Sequence, residues 1–334
     1  MAAGSAALAL GAACTTFGLG NTEPADAGPA PDTSIGPDPS ACTAGSLPAP
    51  IDCGAGCAPE QLFDPLDTAV VSANSLYYVR NSVLYQDPDI STGLITKLGT
   101  SAIEGKALKM AVDDEYVYVS TDMAHARVSK RTALKEPAAS GGDLHPLVLG
   151  NKVYFQLQPQ LVLQWRKDGV DSPQSQAVVG ADALAVDGDA AYWIGLNGGI
   201  DHVIVGPFGS PKAHGVVKAP VLGFAVAGGY AYVAEKDGTS TASTIARFSL
   251  ESGERKVLIM EPGAIVSLDV HAGRLYWVAR RQAEGTRVFA SSDLCGGSSR
   301  VHANQLAPIV TLSFGTNYVY AAGVGPGPLY RIKN

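Results

Sequence analysis

Histidine is the side chain best suited to hold a metal or to pass a proton near neutral pH, and this chain has six. His125, His145, His202, His214, His271 and His302 show no His-x-His, His-x-x-x-His or His-Glu-x-x-His spacing, so their pattern points to no metal centre. No Gly-x-Ser-x-Gly nucleophile turn occurs. The run Gly323-Val324-Gly325-Pro326-Gly327 has no helix-forming stretch behind it, so it is not expected to cradle a phosphate. Asp87-Pro88-Asp89 and Asp187-Gly188-Asp189 carry carboxylates spaced as in weak Ca2+ sites, but the same residues make ordinary turns. The expectation is no catalytic residue, no metal and no cofactor.

The elements that would position any site come from an internal repeat. Tyr77, Tyr118, Tyr154, Tyr192, Tyr232, Tyr276 and Tyr320 recur every 36 to 44 residues. Six places before each stand Val71, Val112, Val148, Val186, Val226, Val270 and Phe314, and apolar residues occupy most positions eight places before. Apolar residues also flank each Tyr, as in Leu76-Tyr77-Tyr78 and Leu275-Tyr276-Trp277. The first strand of each copy thus alternates with period two, while the second has three apolar residues in a row and must be buried on both faces. Thr244 to Ser249 and Lys256 to Met260 read as a second strand pair around Ser252-Gly253. Four strands in about 40 residues make one blade of a propeller. The expected fold is therefore all-β, a seven-bladed β-propeller over residues 60–334.

Two resemblances extend this reading. Leu268-Asp269-Val270 leading to Leu275-Tyr276-Trp277-Val278 resembles the YWTD and YVTN repeat families, from about Leu62 to the C-terminus. No copy has the full tetrapeptide, so the resemblance implies architecture and not a family function. Residues 1–14, small and apolar up to Gly11-Ala12-Ala13-Cys14, resemble a bacterial lipoprotein signal, which implies cleavage before Cys14 and lipidation on it. A plain secretory signal is the alternative. Residues 15–59, rich in Pro, Ala and Asp, read as a disordered linker. The expected place is outside the cytoplasm on a bacterial envelope, with the membrane reached only through the lipid.

The last copy stops one strand short, so Gln61 to about Asp64 is expected to complete the seventh blade and close the ring. In an oxidising compartment Cys42, Cys53, Cys57 and Cys295 favour disulfides. Closure would bring Cys57 to the side of the disc that holds Cys295, so Cys295 pairs with Cys57 or with Cys53. A local Cys53–Cys57 ring with Cys295 free and buried is the alternative.

Charge narrows the partners. Of 31 acidic residues eight precede Arg80, and the other 23 balance the 24 basic ones. The body is nearly neutral and has no basic face for nucleic acid. Arg80, Asn81, Asp122, Glu235, Lys236 and Arg280 follow or end second strands, and are expected to ring the channel mouth as the binding rim. The favoured function is a non-catalytic binding or scaffold module with a protein or glycan partner. A propeller-type lyase or lactonase is the alternative and would need clustered His or acidic ligands in the channel.

Overall fold

Alternating apolar residues bury one face of a strand, and continuous ones bury both. The computed structural model shows both patterns. It describes residues 58–333 except 73, 91–95, 99–101, 141–143, 150–151, 158–160, 167–173, 178–183, 188–189, 198–199, 206–211, 218–219, 237, 239–240, 282–285, 298, 316 and 324–325. Cys14, Cys42, Cys53 and Cys57, with the proposed signal and nearly all of the proposed linker, lie outside the described residues.

The described residues form seven antiparallel sheets of four strands each. Each sheet runs in sequence order from its first strand outward, the seventh excepted. The first strands, Thr68–Ser72, Ala107–Val112, Leu144–Leu149, Leu184–Asp187, Val221–Ala227, Ala264–His271 and Ile309–Phe314, pack one against the next, and the last returns to the first. They are the inner ring of a closed propeller. No helix occurs among the described residues.

Closure follows the sequence expectation and extends it. The strand Glu60–Leu66 pairs with Gly327–Lys333 as the outer strand of the seventh sheet, longer than the Gln61 to Asp64 segment expected. Glu60 and Arg331 are register partners, and Arg331 Nε donates to Glu60 Oε2 at 2.9 Å while its Nη2 donates to Oε1 at 2.8 Å. The guanidinium also lies 4.8 Å from the centre of the Tyr318 ring.

Among the described residues strand pairing stays within each sheet, and buried side chains of neighbouring sheets pack together. Trp277, Leu275 and Ala279 of the sixth blade pack with Tyr232, Ile245 and Ile259 of the fifth. Leu66, Tyr320 and Leu329 of the seventh pack with Ala69, Leu76 and Tyr78 of the first. Each fully buried Leu, Val or Ile contributes about 1.5–3 kcal/mol. The second strands carry the largest share, with unbroken buried runs in Tyr230–Lys236 and Arg274–Arg281.

One glycine lets two blades approach. Gly296, in the turn after the third strand of the sixth blade, has φ +83°, and a Cβ there would lie 2.6 Å from the Leu258 carbonyl oxygen of the fifth. The left-handed backbone costs a residue with a Cβ about 1–2 kcal/mol, and overpacking adds about 1–3. Gly296→Ala is therefore expected to lower the stability by about 3 kcal/mol, read as a fall in urea midpoint at unchanged slope. An unchanged midpoint would show that this contact does not limit packing.

Candidate functional site

The first strands do more than form a wall. In the second, fifth, sixth and seventh blades the pairing of first with second strand slips by one residue, at Leu108, Leu222, Val266 and Val310. These four stand at one repeat position, ten places before the anchor Tyr. A bulge there re-aims the residues that follow it, which include Lys109 in the second blade and Asp269 in the sixth.

Lys109 lies on the first strand of the second blade and Asp269 on that of the sixth. Asp269 is half-buried. Its Oδ1 accepts from the Val270 N–H at 2.7 Å. Burial pushes its pKa up to about 6, against the smaller lowering by that hydrogen bond and by Lys109. At the same repeat offset the other blades carry Val70, Ala111, Leu147, Ala185, Ala225 and Ser313, none of them charged.

The rim residues are placed as follows. Arg80, Asp122, Lys236 and Arg280 are exposed at the same end of their second strands, and so share one face of the ring. Asn81 (φ 52°) and Ser82 (φ 60°) form the two-residue turn between the partners Arg80 and Val83, which accounts for Asn81 by turn chemistry. Asp122 Oδ1 accepts from the Lys106 N–H at 2.8 Å, fixing the entry to the second blade. Glu235 departs from the expectation. It is 1% exposed and ion-paired with Arg255, because the buried run of its strand continues one residue further than its charge suggested. Beside Asp122 the sequence reading missed Met123, which is 70% exposed.

Other polar clusters serve the framework. Glu261 is fully buried at the end of the fifth blade's outer strand. It accepts from Trp277 Nε1 at 3.0 Å, Arg281 Nε at 2.9 Å and the Gly263 N–H at 3.3 Å. Ser291 Oγ accepts from Arg274 Nη2 at 3.1 Å and lies 2.7 Å from His302 Nε2. Burial, then Arg300 and Arg274, push the His302 pKa down to about 4, so the ring is neutral near pH 7. This Ser–His pair resembles a nucleophile and base, but Ser291 has no exposed surface. Asp113 Oδ1 accepts from the Glu115 and Tyr116 N–H groups at 2.8 and 2.7 Å, the ordinary work of a turn aspartate. In Asp87-Pro88-Asp89, Asp87 Oδ1 likewise accepts from the Asp89 N–H at 3.2 Å. Among the described residues no three His, Cys, Asp or Glu side chains converge as metal ligands. Cys295 is disulfide-bonded, and the other cysteines of the chain lie outside the described residues.

Solved structures place this architecture in a class. BamB from Moraxella catarrhalis is 13% identical with TM-score 0.55, over 83% of this chain and 100% of that one. A chain of the Kuenenia stuttgartiensis hydrazine synthase is 10% identical with TM-score 0.59, over 84% and 98%. A chain of a mitotic checkpoint complex is 11% identical with TM-score 0.57, over 87% and 100%. The protein is a β-propeller. At such identities the likeness carries the fold alone, and no protein-family model and no curated protein matches the chain.

Proposed function

We propose that the protein is a non-catalytic binding or scaffold module, held outside the cytoplasm by a lipid on Cys14, whose rim face engages a protein partner. The observation that carries this reading is Met123, 70% exposed at the tip of a turn on the face that also presents Arg80, Asp122, Lys236 and Arg280. Methionine and arginine are enriched at protein–protein interfaces.

The test compares the two faces. Leu134 is 55% exposed on the opposite face, in the turn between third and outer strands of the same blade. A photo-crosslinking residue at position 123 is expected to capture an envelope protein in intact cells, and one at position 134 is not. Equal capture from both, or capture only from 134, overturns the rim assignment, and a captured glycan would replace the protein partner. Radioactive palmitate is expected to label the wild type and not Cys14→Ser. Unlabelled protein in the cytosol overturns the tether.

A further inference from the structure

Like charges directly opposite one another destabilise a sheet unless something answers them. In the sixth blade Arg280 and Arg287 are register partners, on the second strand Arg274–Arg281 and the third strand Thr286–Asp293. Side chains alternate along a strand, so both share the face of Val278 and Phe289, which pack with Ile309, Val319 and Ala321 of the seventh blade. Across the four strands their row reads Ala264, Arg280, Arg287, Leu306, with no acidic side chain. Glu261 is committed to Arg281, on the opposite face of the second strand. From Ala307 to Leu329 the seventh blade has no charged residue at all. Among the described residues neither guanidinium has a hydrogen bond or an ion pair, and the Arg287 Nε is buried without an acceptor. Burial, then Arg280, hold the Arg287 guanidinium below its usual range, yet it stays charged near pH 7. The fifth blade shows a like-charged pair that is answered. There Arg247 faces Lys256, and its guanidinium lies 4.5 Å from the centre of the Tyr230 ring.

We propose that Arg280 and Arg287 together bind a doubly charged oxyanion, phosphate or sulfate, at the rim end of the sixth blade. Two guanidiniums without a counter-charge match a dianion, and each presents a planar fork of N–H donors to its oxygens. Arg280 is exposed and open to an arriving ion, while Arg287 is half-buried and donates where water competes less. A partly enclosed charge without a partner costs stability, and such a cost is expected at functional sites. Arg280 also belongs to the rim proposed above, and the site rests on that reading only for which face is presented. The dianion arrives either as a free ion or as a group carried on a larger molecule.

Calorimetric titration of the full chain with sulfate, inorganic phosphate, phenyl phosphate and acetate tests it, at pH 8 and constant ionic strength. Sulfate and phosphate are expected to bind at millimolar concentration or tighter, and singly charged acetate at least tenfold more weakly. Phenyl phosphate is expected to match inorganic phosphate, as a group carried on a larger molecule would. Its exclusion keeps the site and assigns it to the free ion. Arg280→Gln and Arg287→Gln are each expected to weaken sulfate binding at least tenfold. Arg287→Met keeps the packing of the alkyl stem and removes the buried donor. Without anion this variant is expected to melt at or above the wild type, and sulfate is expected to raise the Tm of the wild type alone. Should a variant fail to fold, the wild-type preference for dianions over acetate decides. Absence of binding by sulfate and phosphate, equal binding by acetate, or unchanged affinity in both glutamine variants overturns the proposal. So does a folded Arg287→Met that melts clearly below the wild type, since the guanidinium would then have a partner within the fold. Capture at position 123 is read separately, so protein capture without dianion binding overturns this site alone, and dianion binding without capture overturns only the rim assignment.

Discussion

A chain lacking residues 60–66 is expected to melt about 10–20 °C below the full chain, although those residues are few and lie at the edge of the sheet. The strand closes the seventh blade from the opposite end of the sequence, so its loss opens the ring as well as removing contacts. Leu66 is 3% exposed and packs with Leu329 and Tyr320, and Leu62 packs against the same cluster. Burial of Leu66 alone accounts for about 1.5–3 kcal/mol. Lost backbone hydrogen bonds and newly exposed Leu329 and Ile332 bring the total to about 5 kcal/mol, and in a domain of this size each kcal/mol moves Tm by about 2–4 °C. Deletion of residues 15–50, read from the sequence as linker, is expected to leave Tm nearly unchanged. Equal effects from the two deletions would show that closure does not control stability. The same junction is where we place the partner of Cys295. Non-reducing peptide mapping is expected to recover Cys295 joined to Cys57, a staple whose loop-closure contribution approaches about 5 kcal/mol on chain-entropy grounds. Recovery of Cys53 joined to Cys57 would instead favour the local ring.

The architecture was legible because each blade must solve the same burial problem. A second strand buried on both sides needs three apolar residues in a row, so Leu76-Tyr77-Tyr78 and Leu275-Tyr276-Trp277 announce their environment. Ala69 looked a poor core residue and is 2% exposed, because inter-sheet packing near the axis has little room. The bulges were not legible, since Leu108, Leu222, Val266 and Val310 are ordinary apolar residues and only strand pairing reveals the extra one. Asp269 was passed over, although a charge among Val, Ala, Leu and Ser at one repeat position is a signal the sequence carries. Rim exposure was misjudged at Glu235, where one further residue of strand is buried and Arg255 compensates the charge.

The largest single-residue effect is expected at Glu261, and its cause is the way blades are joined. Among the described residues strand pairing stays within each sheet, so a polar clamp between two sheets orients one against the other in a way that apolar packing does not. Glu261 ends the outer strand of the fifth blade, while Trp277 and Arg281 belong to the second strand of the sixth. One carboxylate thus takes an indole N–H, a guanidinium and the Gly263 N–H with no surface exposed. Glu261→Leu keeps the volume roughly but strands the Trp277 and Gly263 donors and leaves Arg281 without its anion. Removal of one partner from a buried pair costs about 3–5 kcal/mol, or a fall of about 6–20 °C in Tm at the slope used above. Glu261→Gln retains an acceptor for Trp277 and loses only the charge-assisted part, so its expected cost is about 1–2 kcal/mol. Glu254, exposed in the turn before the same strand, supplies the control, since Glu254→Gln is expected to stay within about 0.5 kcal/mol of the wild type. Differential scanning calorimetry on the three variants gives the ranking, and Trp277 fluorescence reports on the clamp itself. If Glu261→Leu melts with the wild type, the clamp adds nothing to packing, and the orientation of the fifth and sixth blades must rest on the apolar cluster of Trp277, Ile259 and Leu268 alone.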